Sequence, residues 1–333
     1  MDKRSRGQFY TGNCGYILDG FIIPENVQVI EPFAGRGDLL EWAGREMTAY
    51  DIDPKHPKVI QRDTLLDPPD YRDSWILTNP PYLARNKSDS KVYFDLYNTN
   101  DLYKCFIKSI KSCVGGIFII PASFFLSPRN IDLTVRNGFL SKYRLLKVKY
   151  FEETVFQDTT TTVVAFQFEL STKKLTSQTV EWVCMPSGKT KLFQMEKEND
   201  WIIGGSIYNI PVSPQIKVWR HIHGNSNEFT TGITLCALDS GKDLRIRLDY
   251  RPGYIYPAKN CSRTYATINV DGANLTPEEE QELCTDFNKL IEHHRKETWS
   301  LFLPQYRESK EYARKRIPFE LVYRIVNNLI QSK

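Results

Sequence analysis

Metal-binding spacing is the first thing missing from this sequence. Its seven cysteines, at 14, 105, 113, 184, 236, 261 and 284, stand singly, with no C-x-x-C pair and no paired histidine spacing. An odd, dispersed set argues against a structural zinc site and for reduced thiols inside a cell. Long apolar runs are missing too: no stretch approaches the roughly 20 residues of a membrane span. The opening Met-Asp-Lys-Arg-Ser-Arg leads into polar sequence rather than an apolar signal core. The expectation is a protein with no membrane partner and no metal, cytoplasmic, or nuclear if its source is eukaryotic or viral. A strong excess of one charge is missing, since 44 basic residues against 40 acidic ones leave a net charge of only +4, which permits a polyanionic partner without requiring one. Repeats and low-complexity tracts are absent. What remains is a globular composition, 41% apolar and 25% charged over 333 residues, enough for one large domain or two ordinary ones.

The stretch around which the chain is organised is Thr78-Asn79-Pro80-Pro81-Tyr82. It follows Ser74-Trp75-Ile76-Leu77, which reads as a short buried parallel strand. Ligands of doubly wound α/β sheets sit at the carboxyl ends of such strands. Two prolines remove two N–H donors and stiffen the loop, leaving carbonyl acceptors and one asparagine side chain. The Asn79 oxygen and a prolyl carbonyl suit the two hydrogens of an exocyclic amine. Accepting both would turn the nitrogen lone pair out of conjugation and toward an electrophile. An adjacent aromatic can stack on the base that carries the amine. Alone, the stretch is as well explained by a proline-rich turn.

Taken in order, Arg6-Gly7-Gln8-Phe9-Tyr10-Thr11-Gly12 opens the fold as a terminus with a turn, or as a segment folded over a ligand. Val27–Ile30 is β-rich and leads into Glu31-Pro32-Phe33-Ala34-Gly35-Arg36-Gly37-Asp38, after which Leu39, Leu40, Trp42 and Ala43 are helical in pattern. Strand, Gly-x-Gly loop and helix describe the first βα unit of a Rossmann-like half. The missing third glycine speaks against a dinucleotide pyrophosphate. Met47–Tyr50 is a second strand, tipped by Asp51-Ile52-Asp53 where a carboxylate takes ribose hydroxyls. Val59–Leu66 reads as a third strand around Asp63-Thr64, where the acid is either an amine acceptor or an ordinary cap. Leu83–Thr99 is polar and reads as a mobile loop over the site. Phe156 precedes the Thr/Val-rich run 159–168 and is either core or crevice. Ser171-Thr172-Lys173-Lys174 reads as the domain linker. Beyond it, Arg245, Arg247, Tyr250, Arg251, Tyr254, Tyr256, Lys259, Arg263 and Tyr265 mix base-stacking and phosphate-binding side chains. Thr276-Pro277-Glu278-Glu279 is a capping box that starts a helix, and Phe319–Ile330 is a final amphipathic one.

As an ordered set, these motifs resemble those of the γ-class DNA adenine-N6 methyltransferases over roughly the first half of the chain. The resemblance implies a Rossmann-like α/β methyltransferase fold, a mixed but mostly parallel sheet with helices on both faces. Residues 1–170 would form the catalytic domain and 171–333 an α+β target-recognition domain. S-adenosylmethionine would be the cofactor and S-adenosylhomocysteine the product. Thr11, Glu31, Ala34, Gly35 and Gly37 would surround the methionine end, Asp51 the ribose and Ile52 the adenine face. Asp63 and Thr64 would meet the adenine edge, with Asn79 and Pro81 at the inner wall. Asn79 and the Pro80 carbonyl would hold the target amine, and Tyr82 and Phe156 would sandwich the flipped base. Double-stranded DNA would be the substrate, and a cognate restriction endonuclease a possible companion. Related enzymes often carry a basic residue shortly after the matching phenylalanine; here Asp158 and Thr159 stand there. RNA adenine or a protein glutamine is the alternative substrate for the same pocket. A non-catalytic nucleic-acid binder that keeps the fold is the third reading.

Overall fold

A computed structural model of the chain describes residues 7, 10–156, 159, 161–240, 245–306 and 313–332. Gln8, Phe9 and Asp158, singled out in the sequence, lie outside the described residues. The chain divides into two compact units, one running to Trp201 and a second beginning at Ile202.

In the first unit, α1 (Cys14–Leu18) leads to β1 (Gln28–Glu31), and a glycine loop leads to α2 (Asp38–Ala43). Then come β2 (Thr48–Asp51), β3 (Ile60–Gln61), β4 (Ser74–Thr78), α3 (Val92–Tyr97), α4 (Leu102–Ser109) and β5 (Gly115–Pro121). The unit continues with α5 (Ser123–Leu126), α6 (Asn130–Leu140), β6 (Tyr143–Phe151), β7 (Val163–Leu170), β8 (Ser177–Met185) and β9 (Lys189–Glu196). The strands form one nine-stranded sheet in the order β3-β2-β1-β4-β5-β7-β6-β8-β9. β1 to β5 are mutually parallel, and β7 runs antiparallel between β5 and β6. Every residue of β4 and β5 is buried, the near-continuous apolar pattern of strands covered on both sides. The fold is the mixed, mostly parallel Rossmann-like sheet expected from the sequence. Its order reverses between β1 and β4, and the crevice beyond their carboxyl ends is where such sheets take ligands.

Aromatic rings pack the middle of this sheet. Phe118 on β5 lies within 6 Å, centroid to centroid, of Phe106, Phe139, Phe166 and Phe168. The fully buried Arg136 guanidinium donates to the carbonyls of Phe124 (2.8 Å), Ser127 (3.0 Å) and Asp200 (2.7 Å). It ties α6 to the loops around it, so a buried charge here serves as a fixed donor to backbone.

Three expectations change. The linker expected at Ser171–Lys174 is instead the turn between β7 and β8, and the first unit continues through two further strands of the same sheet. A boundary near residue 170 would cut that sheet; the observed one is at 201/202. The third strand expected over 59–66 is only two residues long. The segment 83–99, expected as a loop, contains a 3₁₀ turn at Arg85–Lys87 and the helix α3.

The second unit is α+β. It comprises β10 (Lys217–Arg220), β11 (Thr230–Cys236), β12 (Leu238–Asp239), β13 (Arg247–Tyr250) and β14 (Tyr265–Asp271), then α7 (Pro277–Thr298), β15 (Gln305–Tyr306), β16 (Arg314–Arg316) and α8 (Phe319–Gln331). An antiparallel sheet β10-β14-β11-β13 and a small sheet β12-β16-β15 make up its strands. α7 starts with the expected capping box: Thr276 accepts from Glu279 N, and the Glu279 carboxylate accepts from Thr276 N at 2.7 Å. Among the described residues, no helix is long and apolar enough to cross a membrane.

Candidate functional site

At the switch between β1 and β4, a cavity of about 630 Å³ is lined by Thr11, Ala34, Gly35, Asp51, Ile52, Asp63, Thr64, Asn79 and Pro81 among others. That size suits a small organic ligand. Residues from five separate sequence motifs thus meet in one place. Its floor is the glycine loop after β1. Gly35 has φ 50°, and a Cβ there would stand 2.9 Å from the Tyr10 ring, so only glycine fits. The Gly35 N–H donates to Asp51 Oδ2 at 2.8 Å, and Asp53 N donates to Asp51 Oδ1 at 2.8 Å. Asp51 therefore latches the loop to the end of β2 with one lone pair on each oxygen and keeps the others for a ligand. The Arg36 guanidinium lies over the Tyr10 ring at 4.2 Å and fixes that ring above the loop.

Asp63 is equally fixed. Its Oδ1 accepts from Leu65 N and Leu66 N, both at 3.1 Å, and its Oδ2 accepts from the Tyr93 hydroxyl at 2.7 Å. Thr64 donates to Pro32 O at 3.0 Å and joins this turn to the loop after β1. Ile52 lines the same cavity as the two carboxylates and is 46% exposed. An exposed isoleucine in a cavity with fixed acceptors offers an apolar face for a flat ring whose edge carries hydrogen-bond donors.

Glu31, at the end of β1, lies behind this lining rather than in it and is fully buried. Its Oε1 accepts from Thr78 Oγ1 at 2.6 Å and from Phe33 N at 3.0 Å, while Oε2 is buried without a partner. Burial pushes its pKa up to about 8, against the pull of those two hydrogen bonds. The carboxyl is protonated at neutral pH, and a cation reaching the unfilled oxygen would displace that proton and supply the missing partner.

Asn79 stands at the carboxyl end of β4. Its Nδ2 donates to Thr11 Oγ1 at 3.0 Å, and its Oδ1 accepts from the Tyr82 hydroxyl. That hydroxyl also lies 2.7 Å from Ile119 O. One hydroxyl hydrogen serves only one acceptor fully, so it can rest on Ile119 O while another donor takes the Asn79 oxygen. Desolvation drives the Tyr82 phenol well above its ordinary pKa and keeps it neutral. Cys14, whose thiol donates to Thr11 O at 2.7 Å, is pushed up to about 12 by burial and is no nucleophile at neutral pH.

Gly37, Pro80, Tyr82 and Phe156 do not line the cavity. Gly37 (φ 87°) caps the start of α2, against the His56 ring. Tyr82 and Phe156 are both buried, so the expected pair of ring faces is not open to the cavity in this structure. Tyr82 instead presents its ring edge-on to Tyr103, at 6.4 Å. Tyr10 and Tyr93 were not picked out as site residues in the sequence. Tyr10 neighbours Thr11 in the opening motif, whereas Tyr93 carries no sequence signal.

In the second unit, three of the four arginines expected to meet phosphates stand in ion pairs. Arg247 and Arg251 pair with Asp249 at 2.9 and 3.4 Å, and Arg245 lies 3.7 Å from Glu292. Arg251, Lys259 and Arg263 are exposed, and the Tyr256 and Tyr265 rings lie 5.5 Å apart.

No protein-family model matches the sequence, and comparison with curated proteins gives no match. Among solved structures, the chain is similar to a type I restriction-modification system methyltransferase subunit from Streptococcus thermophilus (15% identity, TM-score 0.41, 54% of this chain and 48% of that one). It is also similar to the type IIG restriction endonuclease BpuSI (15%, 0.41, 68% and 39%) and to the M protein of the type I restriction enzyme EcoKI (12%, 0.36, 49% and 45%). The chain spans about half the length, or less, of each of these three structures.

Proposed function

We propose that the chain is a site-specific DNA methyltransferase that uses S-adenosylmethionine to methylate N6 of a flipped-out adenine, acting as the modification enzyme of a restriction-modification system. The observation that carries the reading is that Asn79, at the tip of β4, shares one cavity with the carboxylates of Asp51 and Asp63 and the exposed side chain of Ile52. The residues present fit the cofactor. The unfilled Glu31 Oε2 suits an ammonium behind the glycine loop, Asp51 suits vicinal hydroxyls, and Ile52 with Asp63 suits an adenine face and its amine. When bound there, S-adenosylmethionine supplies a methyl group already activated on a sulfonium.

The protein's part is then placement. Asn79 Oδ1 and the Pro80 carbonyl accept the two amine hydrogens and localise the nitrogen lone pair. Asn79 cannot take a proton, so the proton leaves to solvent. Most of the rate enhancement comes from orientation, which in well-ordered sites contributes on the order of 7–11 kcal/mol. The second unit, with Lys259 and Arg263 exposed and the Tyr256 and Tyr265 rings 5.5 Å apart, would meet the duplex.

The test is transfer of labelled methyl from S-adenosylmethionine to unmethylated duplex DNA, with RNA and Asn79→Ala in parallel and the modified bases mapped. We expect label on adenine N6 within one short sequence. Asn79→Ala should lose transfer by at least about a hundredfold while binding cofactor normally. Label on RNA alone, or undiminished turnover in Asn79→Ala, would overturn the reading.

A further inference from the structure

Two contacts tie the Asn-Pro-Pro-Tyr loop to sequence far upstream. Asn79 Nδ2 donates to Thr11 Oγ1 at 3.0 Å, across 68 positions of chain. The Tyr82 N–H donates to Gly7 O at 2.9 Å. Gly7 has φ 66°, and a Cβ there would stand 2.6 Å from Tyr82 O, so a larger residue would push the two backbones apart. Thr11 is buried and its carbonyl is held by the Cys14 thiol, so its hydroxyl is carried on an anchored backbone.

An asparagine amide is nearly symmetric in shape and opposite in function at its two ends. A target amine needs the oxygen; half a turn of the side chain would set N–H against N–H. Two hydroxyls bracket this amide, Thr11 at the nitrogen and Tyr82 at the oxygen. We propose that Thr11 is a positioning residue for Asn79: by accepting from Nδ2, it holds Oδ1 where the target amine arrives. This role differs from the cofactor contact that the family resemblance implies for Thr11. It rests on the methyl-transfer reading above for its consequence, though not for its geometry. Thr11 lines the cavity but acts through Asn79, so its removal weakens turnover rather than cofactor binding.

Thr11→Val and Thr11→Ser are compared with the parent in three measurements. These are cofactor Kd by calorimetry, kcat and KM on unmethylated duplex DNA, and the Asn79 side-chain amide resonances in ¹⁵N-asparagine-labelled protein. The resonances are assigned by their loss in Asn79→Ala. The valine variant should shift those resonances and lower kcat about thirtyfold, which is about 2 kcal/mol at 1.36 kcal/mol per tenfold. It should leave Kd within about twofold, a split that fixes the role, and serine should restore both. Unmoved Asn79 resonances in Thr11→Val would overturn the inference whatever the turnover. So would a raised Kd with unchanged kcat, which would make Thr11 a cofactor contact. If the resonances move but the parent protein methylates no DNA, the positioning stands and the methyl-transfer reading falls.

Discussion

Replacing Glu31 by glutamine should change how stability depends on pH, and the size of the change follows from where the carboxyl sits. Glu31 is fully buried, with one oxygen filled by Thr78 and Phe33 and the other empty, and burial raises its pKa from an ordinary 4.5 to about 8. The folded state therefore holds a proton that the unfolded chain releases above about pH 4.5. Between those values the folded state binds more protons, so stability falls as pH rises, by up to about 1.36 kcal/mol per unit. From pH 5 to pH 7.5 that amounts to about 3 kcal/mol. Glutamine keeps the acceptor for Thr78 Oγ1 and Phe33 N and has no proton to lose. Its Tm should match the parent's at pH 5 and exceed it by about 6–12 °C at pH 7.5, given about 2–4 °C per kcal/mol for a unit of this size. Differential scanning calorimetry at the two pH values measures this. A Tm difference that stays constant with pH would mean Glu31 is ionised in the fold, and the argument from its empty oxygen would fail.

Three further outcomes follow from the cavity. Gly35→Ala places a methyl group against the Tyr10 ring at a left-handed φ. It should cost about 1–2 kcal/mol in urea unfolding and weaken cofactor binding, whereas an unchanged Kd would remove the loop from the site. Asp63→Asn keeps an oxygen for Leu65 N and Leu66 N but turns an N–H toward the ligand. Its Tm should stay near the parent's while calorimetry shows cofactor Kd rising about tenfold or more, the loss of one charge-assisted hydrogen bond. Ile52→Ser should weaken cofactor binding about tenfold without loss of stability, since the side chain is 46% exposed in the free protein. A destabilised variant with normal Kd would make Ile52 a packing residue.

The cavity was legible because its parts are local. Glycines at a tight loop, acids at strand tips and prolines after an apolar strand each leave a mark within a few residues, and strand order brings those marks together. What depended on distant partners was not legible. Ser171–Lys174 reads as a linker because a tight turn and a linker share a polar composition; only the pairing of β8 with β6 tells them apart. Asp249, in the same strand as Arg247, takes up charge that composition alone suggests is available to phosphates. Which way the Tyr82 ring turns was not legible either, because its ring meets Tyr103 and its hydroxyl meets Ile119 O, both distant in the chain. Tyr93 has no local mark at all; its part appears only because α3 brings its hydroxyl to Asp63.

The Thr11 to Asn79 contact also has a consequence in time. On the ribosome Thr11 emerges 68 residues before its partner, and at ~5–20 residues per second the wait lasts ~3–14 s. Until then the Gly7 carbonyl and the Thr11 hydroxyl have neither Tyr82 N–H nor Asn79 to meet. The candidate pocket is therefore closed late, after β4 has been made and its loop has turned. A nascent chain stalled before residue 79 would carry the glycine loop without its clasp, and a protease acting near Thr11 would find that stretch accessible in the stalled chain and protected in the finished one.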